Sequence, residues 1–206
     1  MHQEAIDERT KRVWDKIAAS AIAERFYLAG GTALAVHFGH RKSIDLDFFS
    51  PENFSKTELK RQLSQIGNIA VMGESEGTLH VTIDHVMVSF LRYGYNLLFP
   101  TLEFEGLPLA DERDIAAMKL DAVSSRGSKK DFIDIYVLLK KYTLAELMDI
   151  FKKKYSNINY NLLHILKSLV YYDDADGEPS PVMLQDIRWD DVKESLRKEI
   201  SKISIT

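Results

Sequence analysis

Apolar residues change their spacing near residue 108 of this 206-residue chain. Before that point, short segments with apolar residues at alternate positions lie between segments of helical spacing. After it, five segments repeat apolar residues every three or four positions, which is typical of helices. These patterns predict an α+β fold, with an α/β lobe at residues 1–108 and an all-helical lobe at residues 109–206.

The first lobe begins with segments that predict helices and strands in alternation. They are, in chain order, a helix at residues 3–24, a strand FYLAGG, a short helix TALAVHF, a strand SIDLDFF and a helix SKTELKRQLSQI. Gly39 follows the short helix and suits its carboxyl-terminal cap. Ser55 and Glu58 form the capping-box pattern that opens a helix.

Two further segments, TLHVTI and VMVSFLRY, are separated only by Asp84 and His85. This arrangement predicts a β-hairpin with a two-residue turn. The next segment, TLEFEGLPL, predicts one more strand, and Pro108 within it favours the edge of the sheet. In the helical lobe, the segment DDADGEPSPV is predicted to be a loop.

The strand SIDLDFF carries two carboxylates. Side chains alternate between the two faces of a strand, so Asp45 and Asp47 share one face. Ile44, Leu46 and Phe48 share the other face and are expected to be buried. Neighbouring carboxylates repel unless a cation lies between them, and Mg²⁺ prefers oxygen ligands. A solvated edge strand with alternating acids has the same pattern, so both interpretations remain open.

A glycine pair, Gly30 and Gly31, lies between a predicted strand and a predicted helix. Glycine allows a sharp turn and the close approach of a ligand, and the amide groups of the following helix attract anions. Thr32, together with Arg41 and Ser43 ahead of the aspartates, could hold phosphate oxygens. The structural alternatives are a tight turn without a ligand, an Arg41 that pairs with a surface acid and a Ser43 that begins a strand.

A second group of charged residues lies in the helical lobe, within KLDAVSSRGSKKDFIDIY. Lys119 and Arg126 are seven residues apart and share one helix face, where two cations suit a triphosphate. Asp131 and Asp134 are three residues apart and also share a face. Asp134 lies among apolar residues and needs a partner, for which Arg126 is the natural candidate. Ser128 followed by Asp131 is also typical of a capping box.

Composition narrows the class of protein. The net charge is −4 with 28% charged residues, which is unlike a general nucleic-acid coat protein but leaves a local basic patch open. No apolar segment reaches the roughly 20 residues of a membrane span, and the amino terminus lacks the apolar core of a signal peptide. The chain has no cysteine, which excludes disulfides. We therefore expect a cytoplasmic protein without a membrane partner.

The segment GGTALAVHFGHRKSIDLDFF resembles the first motif of the AbiEii/AbiGii-type nucleotidyltransferases, which belong to the DNA polymerase β-like superfamily. The family's later motifs, K-L-x-A-x-x-x-R and K-D-x-x-D, are matched by Lys119, Arg126, Lys130, Asp131 and Asp134. The resemblance implies a nucleotidyltransferase-like mixed sheet and a helical lobe that closes the cleft. It also implies the toxin of a toxin–antitoxin or phage-abortive-infection system.

The resemblance assigns a role to each matching residue. Asp45 and Asp47 are expected to hold Mg²⁺, or Mn²⁺ in its place, and Asp131 is expected to act as the catalytic base. The residues expected to bind the nucleotide are Gly30, Gly31, Thr32, Arg41, Ser43, Lys119 and Arg126. Catalytic members of the superfamily place a third carboxylate on a later strand, where this chain has Ser89.

We therefore expect a Mg²⁺-dependent enzyme that moves a nucleoside monophosphate from an NTP to an acceptor hydroxyl and releases pyrophosphate. A small molecule, an RNA such as the end of a tRNA, and a protein side chain all remain open as the acceptor. A cognate antitoxin is a further expected partner. The alternative is a catalytically weakened nucleotide- or RNA-binding protein, because Ser89 is a poor metal ligand.

Overall fold

The structure is a computed structural model that describes residues 1–203. Packing divides the chain into two units, Met1–Asp111 and Glu112–Thr206, three residues beyond the predicted boundary at residue 108. Unit 1 contains a sheet with helices, and unit 2 is helical where it is described. The predicted α+β fold is therefore confirmed.

Unit 1 is built on a seven-stranded sheet whose strand order is β3-β4-β5-β2-β1-β7-β6. The strands are β1 (Tyr27–Ala29), β2 (Leu46–Ser50), β3 (Ile69–Ser75), β4 (Thr78–Ile83), β5 (Val86–Arg92), β6 (Leu102–Phe104) and β7 (Leu107–Leu109). Strand β2 runs parallel to β5 and antiparallel to β1, while β1 runs parallel to β7. The sheet is mixed, as the resemblance implied.

Three helices belong to unit 1: α1 (Glu8–Ala18), α2 (Gly30–Phe38) and α3 (Lys56–Ile66). The prediction of one helix over residues 3–24 is wrong at both ends. Asp7 caps the amino terminus of α1 by accepting from the Thr10 amide, and a 3-10 turn at Gln3–Ala5 precedes it. Gly39 ends α2 in the left-handed conformation, with φ of +59°, as predicted.

The strands around the aspartates differ from the prediction in one respect that bears on the site. Strand β2 begins at Leu46, so Asp45 precedes it and Ile44 is 59% exposed, which makes the expected burial of Ile44 wrong. Leu46 and Phe48 are fully buried, as predicted. The extended chain before Leu46 leaves the sheet, and strand alternation therefore does not fix the direction of the Asp45 carboxylate.

The two edges of the sheet also differ from the prediction. Strand β3 was not predicted, because its apolar residues are consecutive and its pairing with β4 contains an irregularity between Val71 and Gly73. TLEFEGLPL forms the hairpin β6–β7 instead of one strand, and Glu105 and Gly106 turn it with positive φ angles. Pro108 lies on β7 and not on the edge strand, which is tolerated because β7 pairs with β1 only through Leu109.

Unit 2 consists of α4 (Glu112–Ser125), α5 (Lys129–Leu139), α6 (Leu144–Lys154), α7 (Leu162–Ser168), α8 (Asp173–Asp176) and α9 (Trp189–Ser201). The short helix α8 lies in the segment that was predicted to be a loop. Lys154 and Asp114 form a fully buried ion pair between α6 and α4, with Nζ 2.7 Å from Oδ1. Within residues 1–203, no helix is both long enough and apolar enough to cross a membrane.

Candidate active site

The glycine turn and the second aspartate lie together in unit 1. Ala29, the last residue of β1, is the register partner of Asp47 on β2. Gly30 follows with φ of +70°, and a Cβ atom on it would lie only 3.0 Å from Asp47 Oδ2. Glycine is therefore required here for conformation and for space. The half-exposed Asp47 carboxylate is held against the first turn of α2, where Gly30 and Gly31 begin the helix.

Thr32 connects α2 to the chain that carries Asp45. Its hydroxyl is buried, donates to the backbone carbonyl of Asp45 and lies 2.7 Å from Ser43 Oγ. The two hydroxyls expected to hold phosphate thus contact each other, and that of Thr32 also contacts the Asp45 main chain. The observed contacts position Asp45, and the expected phosphate contacts of Thr32 and Ser43 stay predictions.

Arg41 is more deeply buried than is usual for a side chain that binds a phosphate group. Its side chain belongs to a residue that is only 3% exposed, and Nη1 donates to the carbonyl oxygen of Lys42 at 3.1 Å. Arg41 is therefore a buried residue, and its pairing with a surface acid stays an open alternative. A nucleotide would reach this guanidinium only after movement of the chain around it, and its phosphate contact stays a prediction.

Ser89 occupies the position expected from the third-carboxylate pattern. It is the register partner of Asp47 across the parallel pair β2–β5. On its other side, the antiparallel pair β4–β5 places His80 opposite it. His80 Nδ1 lies 3.0 Å from Ser89 Oγ, so the two side chains are hydrogen-bonded. Asp47, Ser89 and His80 consequently form one row across three neighbouring strands, with their side chains on one face.

The charged residues of unit 2 form a compact ion-pair cluster between α4 and α5. Lys119 Nζ lies 2.8 Å from Asp131 Oδ1 and 2.6 Å from Asp134 Oδ2. Arg126 Nε lies 3.1 Å from Asp131 Oδ2, and the Ser128 hydroxyl donates to the same oxygen at 2.7 Å. Lys119, Asp131 and Asp134 are all at least 95% buried, whereas the side chain of Arg126 is 68% exposed.

These contacts correct two expectations for the cluster. The described partner of Asp134 is Lys119, while Arg126 contacts Asp131. Ser128 precedes α5 but makes no side-chain cap bond to the helix, so the capping-box alternative is wrong. The first follows from the length of Lys119, whose ammonium reaches two carboxylates on α5, and the second from the Ser128 hydroxyl, which donates to the Asp131 carboxylate.

The surroundings of Asp131 make it a weak base. Burial would raise the pKa of its carboxyl, but the charges and hydrogen bonds of Lys119 and Arg126 outweigh burial and lower that pKa below its usual value. A base with a lowered pKa accepts a proton less readily at neutral pH. The assignment of Asp131 as catalytic base, and of Lys119 and Arg126 as nucleotide ligands, stays a prediction.

Sequence reasoning overlooked His80 as part of the row beside Asp47. The signal was available, because a two-residue turn at Asp84 and His85 fixes the pairing of every residue on the two strands. In such a hairpin, paired residue numbers add up to the same value, and counting back from the turn pairs position 80 with position 89. The missing step was to follow the hairpin register from Ser89 outwards.

A mixed sheet in which a glycine turn between strand and helix meets the aspartate of a neighbouring strand is the arrangement of a nucleotidyltransferase. A family model described as "Nucleotidyl transferase AbiEii toxin, Type IV TA system" matches residues 12–96. An uncharacterised protein of Aquifex aeolicus, aq_aa25, is 37% identical over 205 residues, covering 96% of this chain and 97% of the relative. The chain belongs to the AbiEii nucleotidyltransferase toxin family and is a transferase.

Solved structures agree with this at the level of the fold. JHP933 from Helicobacter pylori is 16% identical and superposes with a TM-score of 0.59, covering 95% of this chain and 92% of its own. MenT4, a nucleotidyltransferase toxin from Mycobacterium tuberculosis H37Rv, is 13% identical with a TM-score of 0.58, covering 94% and 84%. Both similarities extend over the two units.

Proposed function

We propose that the protein transfers a nucleoside monophosphate from an NTP to an acceptor hydroxyl, in a reaction that requires Mg²⁺ held by Asp45 and Asp47. The observation that carries the proposal is the contact between the Asp47 carboxylate and the glycine turn at the start of α2. It brings a metal-binding group and an anion-binding helix terminus to one place in unit 1.

The residues present suit a hard divalent cation. Asp45 and Asp47 supply carboxylate oxygens at half-exposed positions, and the missing Cβ of Gly30 leaves room beside Asp47 Oδ2. No cluster of three or more potential ligands exists among the described residues, so water and phosphate oxygens would complete the coordination. This is the usual manner of Mg²⁺ binding. When bound, the ion would neutralise charge on the phosphates and on the departing pyrophosphate.

The chain's own groups would orient the nucleotide. The amide groups of Gly30 and Gly31 lie at the start of α2. The first backbone N–H groups of a helix have no partner within the helix, and together with the helix dipole they favour a phosphate at this end. The Thr32 hydroxyl would act indirectly, because it holds the carbonyl of Asp45 and thereby the chain that presents the carboxylate. Mn²⁺ would replace Mg²⁺ at such an oxygen site.

The family description supports a proposal for the biological partner and names no acceptor. The family description names the toxin of a type IV toxin–antitoxin system, which supports growth inhibition by transfer to a cellular acceptor and a cognate antitoxin as the counterpart. An RNA such as tRNA and a protein side chain are the acceptors that we propose to test first. Expression of the wild-type chain should slow growth, and Asp47→Asn should restore it.

A second candidate function is binding of nucleotide or RNA with little or no transfer. Ser89 favours it, because a serine stands where the register would place a third carboxylate beside Asp47. This candidate predicts nucleotide binding that survives in Asp47→Asn and no incorporation of label by either protein.

Labelled nucleotide transfer separates the candidates. Each α-labelled NTP is incubated with the protein, Mg²⁺ and either total cellular RNA or cell lysate, and the label is then located by electrophoresis. We expect one NTP to label one acceptor class, and Asp45→Asn and Asp47→Asn to reduce the label at least a hundredfold. Asp15→Asn, at an exposed position of α1, is the matched control and should retain activity. Equal labelling by Asp47→Asn and wild type would refute the proposal.

A further inference from the structure

The row formed by Asp47, Ser89 and His80 contains one side chain, the imidazole of His80, to which the proposed function assigns no role. Neighbouring strands lie about 4.8 Å apart, so the His80 backbone is two strand spacings from that of Asp47. An imidazole extends further from the backbone than a carboxylate of aspartate and covers part of that separation. His80 and Ser89 are half-exposed, so the pair is open to a substrate that lies along the row.

The surroundings leave the outer side of His80 open. Its register partner on β3 is Gly73, and a Cβ atom built on Gly73 would meet no other atom within 4 Å. The strand irregularity between Val71 and Gly73 lies at this point, and such irregularities are frequent next to active sites. The absence of a side chain on β3 leaves space for an acceptor beside the imidazole.

The hydrogen bond to Ser89 fixes the orientation of the ring. With the proton on Nδ1, His80 donates to Ser89 Oγ, and the lone pair of Nε2 remains for another partner. The other residues of β4 and β5 on this face are Thr78, Thr82, Met87 and Leu91, none of which is charged at neutral pH. Asp47 on β2 is the charged member of the row, and Asp45 lies two residues before it in the chain.

We infer that His80 is the general base of the transfer reaction and that Ser89 is its positioning residue, the two together replacing a third carboxylate. The inference rests on the proposed function, since it assigns a residue within the same site. A carboxylate at position 89 would lie directly beside Asp47, and the chain places a hydrogen-bonded imidazole one strand further out. Asp131, the base implied by the family resemblance, has the lowered pKa of a carboxylate held by two cations.

The oxygen of the acceptor hydroxyl attacks the α-phosphorus and forms a new P–O bond, while the bond from that phosphorus to the oxygen bridging to the β-phosphate breaks. Pyrophosphate leaves with the electrons of the broken bond. His80 Nε2 takes the proton of the acceptor hydroxyl and becomes an imidazolium, whose Nδ1–H still donates to Ser89 Oγ. The imidazolium then releases its proton to water.

The test compares His80→Asn with His85→Asn. His85 is exposed in the turn between the same two strands, and asparagine tolerates its positive φ. We expect His80→Asn to lower kcat at least a hundredfold, the usual contribution of a general base, with KM and nucleotide affinity within threefold of wild type. His85→Asn should transfer label at the wild-type rate. Unchanged kcat in His80→Asn would overturn the inference.

The pH profile separates a base from a structural histidine. A general base acts only in its unprotonated form, so wild-type kcat should rise with pH as the base loses its proton. His80→Asn should lose that rise while keeping its melting temperature within a few degrees. A fall in activity with an unchanged pH profile, or a shift only in the Mg²⁺ concentration needed, would mean that His80 serves folding or metal binding, and would contradict the inference.

Two variants of Ser89 complete the experiment. Ser89→Ala removes one hydrogen bond and should lower kcat up to about tenfold. Adding Ser89→Asp to His80→Asn supplies the third carboxylate and should recover at least tenfold of the lost rate; no recovery would contradict the replacement. Nucleotide transfer that depends on Asp47 but not on His80 would refute only this inference, whereas no transfer by wild type would refute the proposed function as well.

Discussion

Asp47 in unit 1 and Asp134 in unit 2 lie in similar local sequences, DLDFF and FIDIY, and end in different environments. Asp47 is half-exposed at the start of a strand, with its carboxylate against Gly30. Asp134 is fully buried in a helix, with its carboxylate 2.6 Å from the Lys119 ammonium.

The difference arises because side chains repeat their direction every two residues on a strand and about every 3.6 residues on a helix. On a strand, the apolar neighbours of an acid point to the opposite face, so Leu46 and Phe48 are buried while Asp47 remains accessible. On α5, the neighbours of Asp134 surround the helix, and Phe132, Ile133 and Ile135 are all buried with it. A buried carboxylate needs a counter-charge, and Lys119 provides it. The same residue type is therefore accessible to a ligand in one unit and neutralised within the fold in the other.

The largest expected effect is on the stability of unit 2. Asp134→Asn removes one partner of a buried ion pair and should lower the free energy of unfolding by about 3 kcal/mol. Asp47→Asn should change the stability of unit 1 by less than about 0.5 kcal/mol while activity is lost. Urea unfolding can be followed separately, because one of the two tryptophans, Trp14, lies in α1 and the other, Trp189, in α9. Equal losses in the two variants would remove the distinction between the two aspartates.

A substitution in the glycine turn should lower stability nearly as much. The cause here is backbone strain and not a change of charge. Gly30→Ala places a side chain at φ of +70° and 3.0 Å from Asp47 Oδ2, which should cost about 2 kcal/mol and displace the carboxylate. Transfer activity should fall with stability in this variant. Gly94→Ala is the control, since its Cβ would meet nothing within 4 Å and its φ is not positive. A Gly30→Ala protein with wild-type melting temperature and activity would contradict the proposed packing.

The stability of unit 2 should fall at acidic pH, because Asp131 becomes protonated. Its pKa is lowered in the folded chain from an ordinary value of 3.8, so its contribution is complete above pH 3.8 and is lost as pH falls through the folded pKa. One such proton gives a slope of at most about 1.4 kcal/mol per pH unit. Unfolding of unit 2 at pH 6 to 2, reported by Trp189, should be steeper in pH for wild type than for Asp131→Asn. Parallel curves would show that Asp131 has the same pKa in both states.

The smallest effect should come from the hydroxyl of Thr32. Thr32→Val keeps the shape but leaves the Asp45 carbonyl without that donor, which should cost about 1 kcal/mol of unit 1 stability. Activity should fall more than this cost alone explains, because the chain carrying Asp45 loses its attachment to α2. Thr82→Val, on β4, serves as the control for replacing threonine in the same unit. If Thr32→Val abolishes nucleotide binding without changing stability, Thr32 is a direct phosphate ligand, as predicted from the sequence.

Hydrophobic periodicity and turn residues were sufficient to predict most of the helices and strands. The hairpin at Asp84 and His85, the cap at Gly39 and five of the six described helices of unit 2 were predicted because each is determined by nearby residues. Strand β3 was missed because its apolar residues are consecutive and its pairing with β4 is irregular, and the hairpin β6–β7 was missed because its two-residue turn at Glu105 and Gly106 lies inside a segment predicted to be one strand. Ile44 was assigned to a strand by alternation, although no partner strand extends that far.

For the candidate site, the family motifs singled out the glycine turn, Asp47 and position 89, and the sheet brings the three together, while their roles in catalysis stay predictions. It did not predict that Thr32 and Ser43 contact each other, or that Lys119 bridges two acids. Such contacts depend on side-chain reach within the folded chain, which spacing along the sequence does not specify. The contact of His80 with Ser89 was deducible from the hairpin register alone.

The length of the turn between β4 and β5 is consequently a determinant of the chemistry. Inserting one residue at Asp84 or His85 would shift the pairing of the two strands by one position, and every side chain of β4 would then point to the opposite face. His80 would enter the space now filled by Leu79 and Val81, while those apolar residues would face solvent. An exposed turn that is remote from Asp47 would thereby tolerate changes of residue type far better than changes of length.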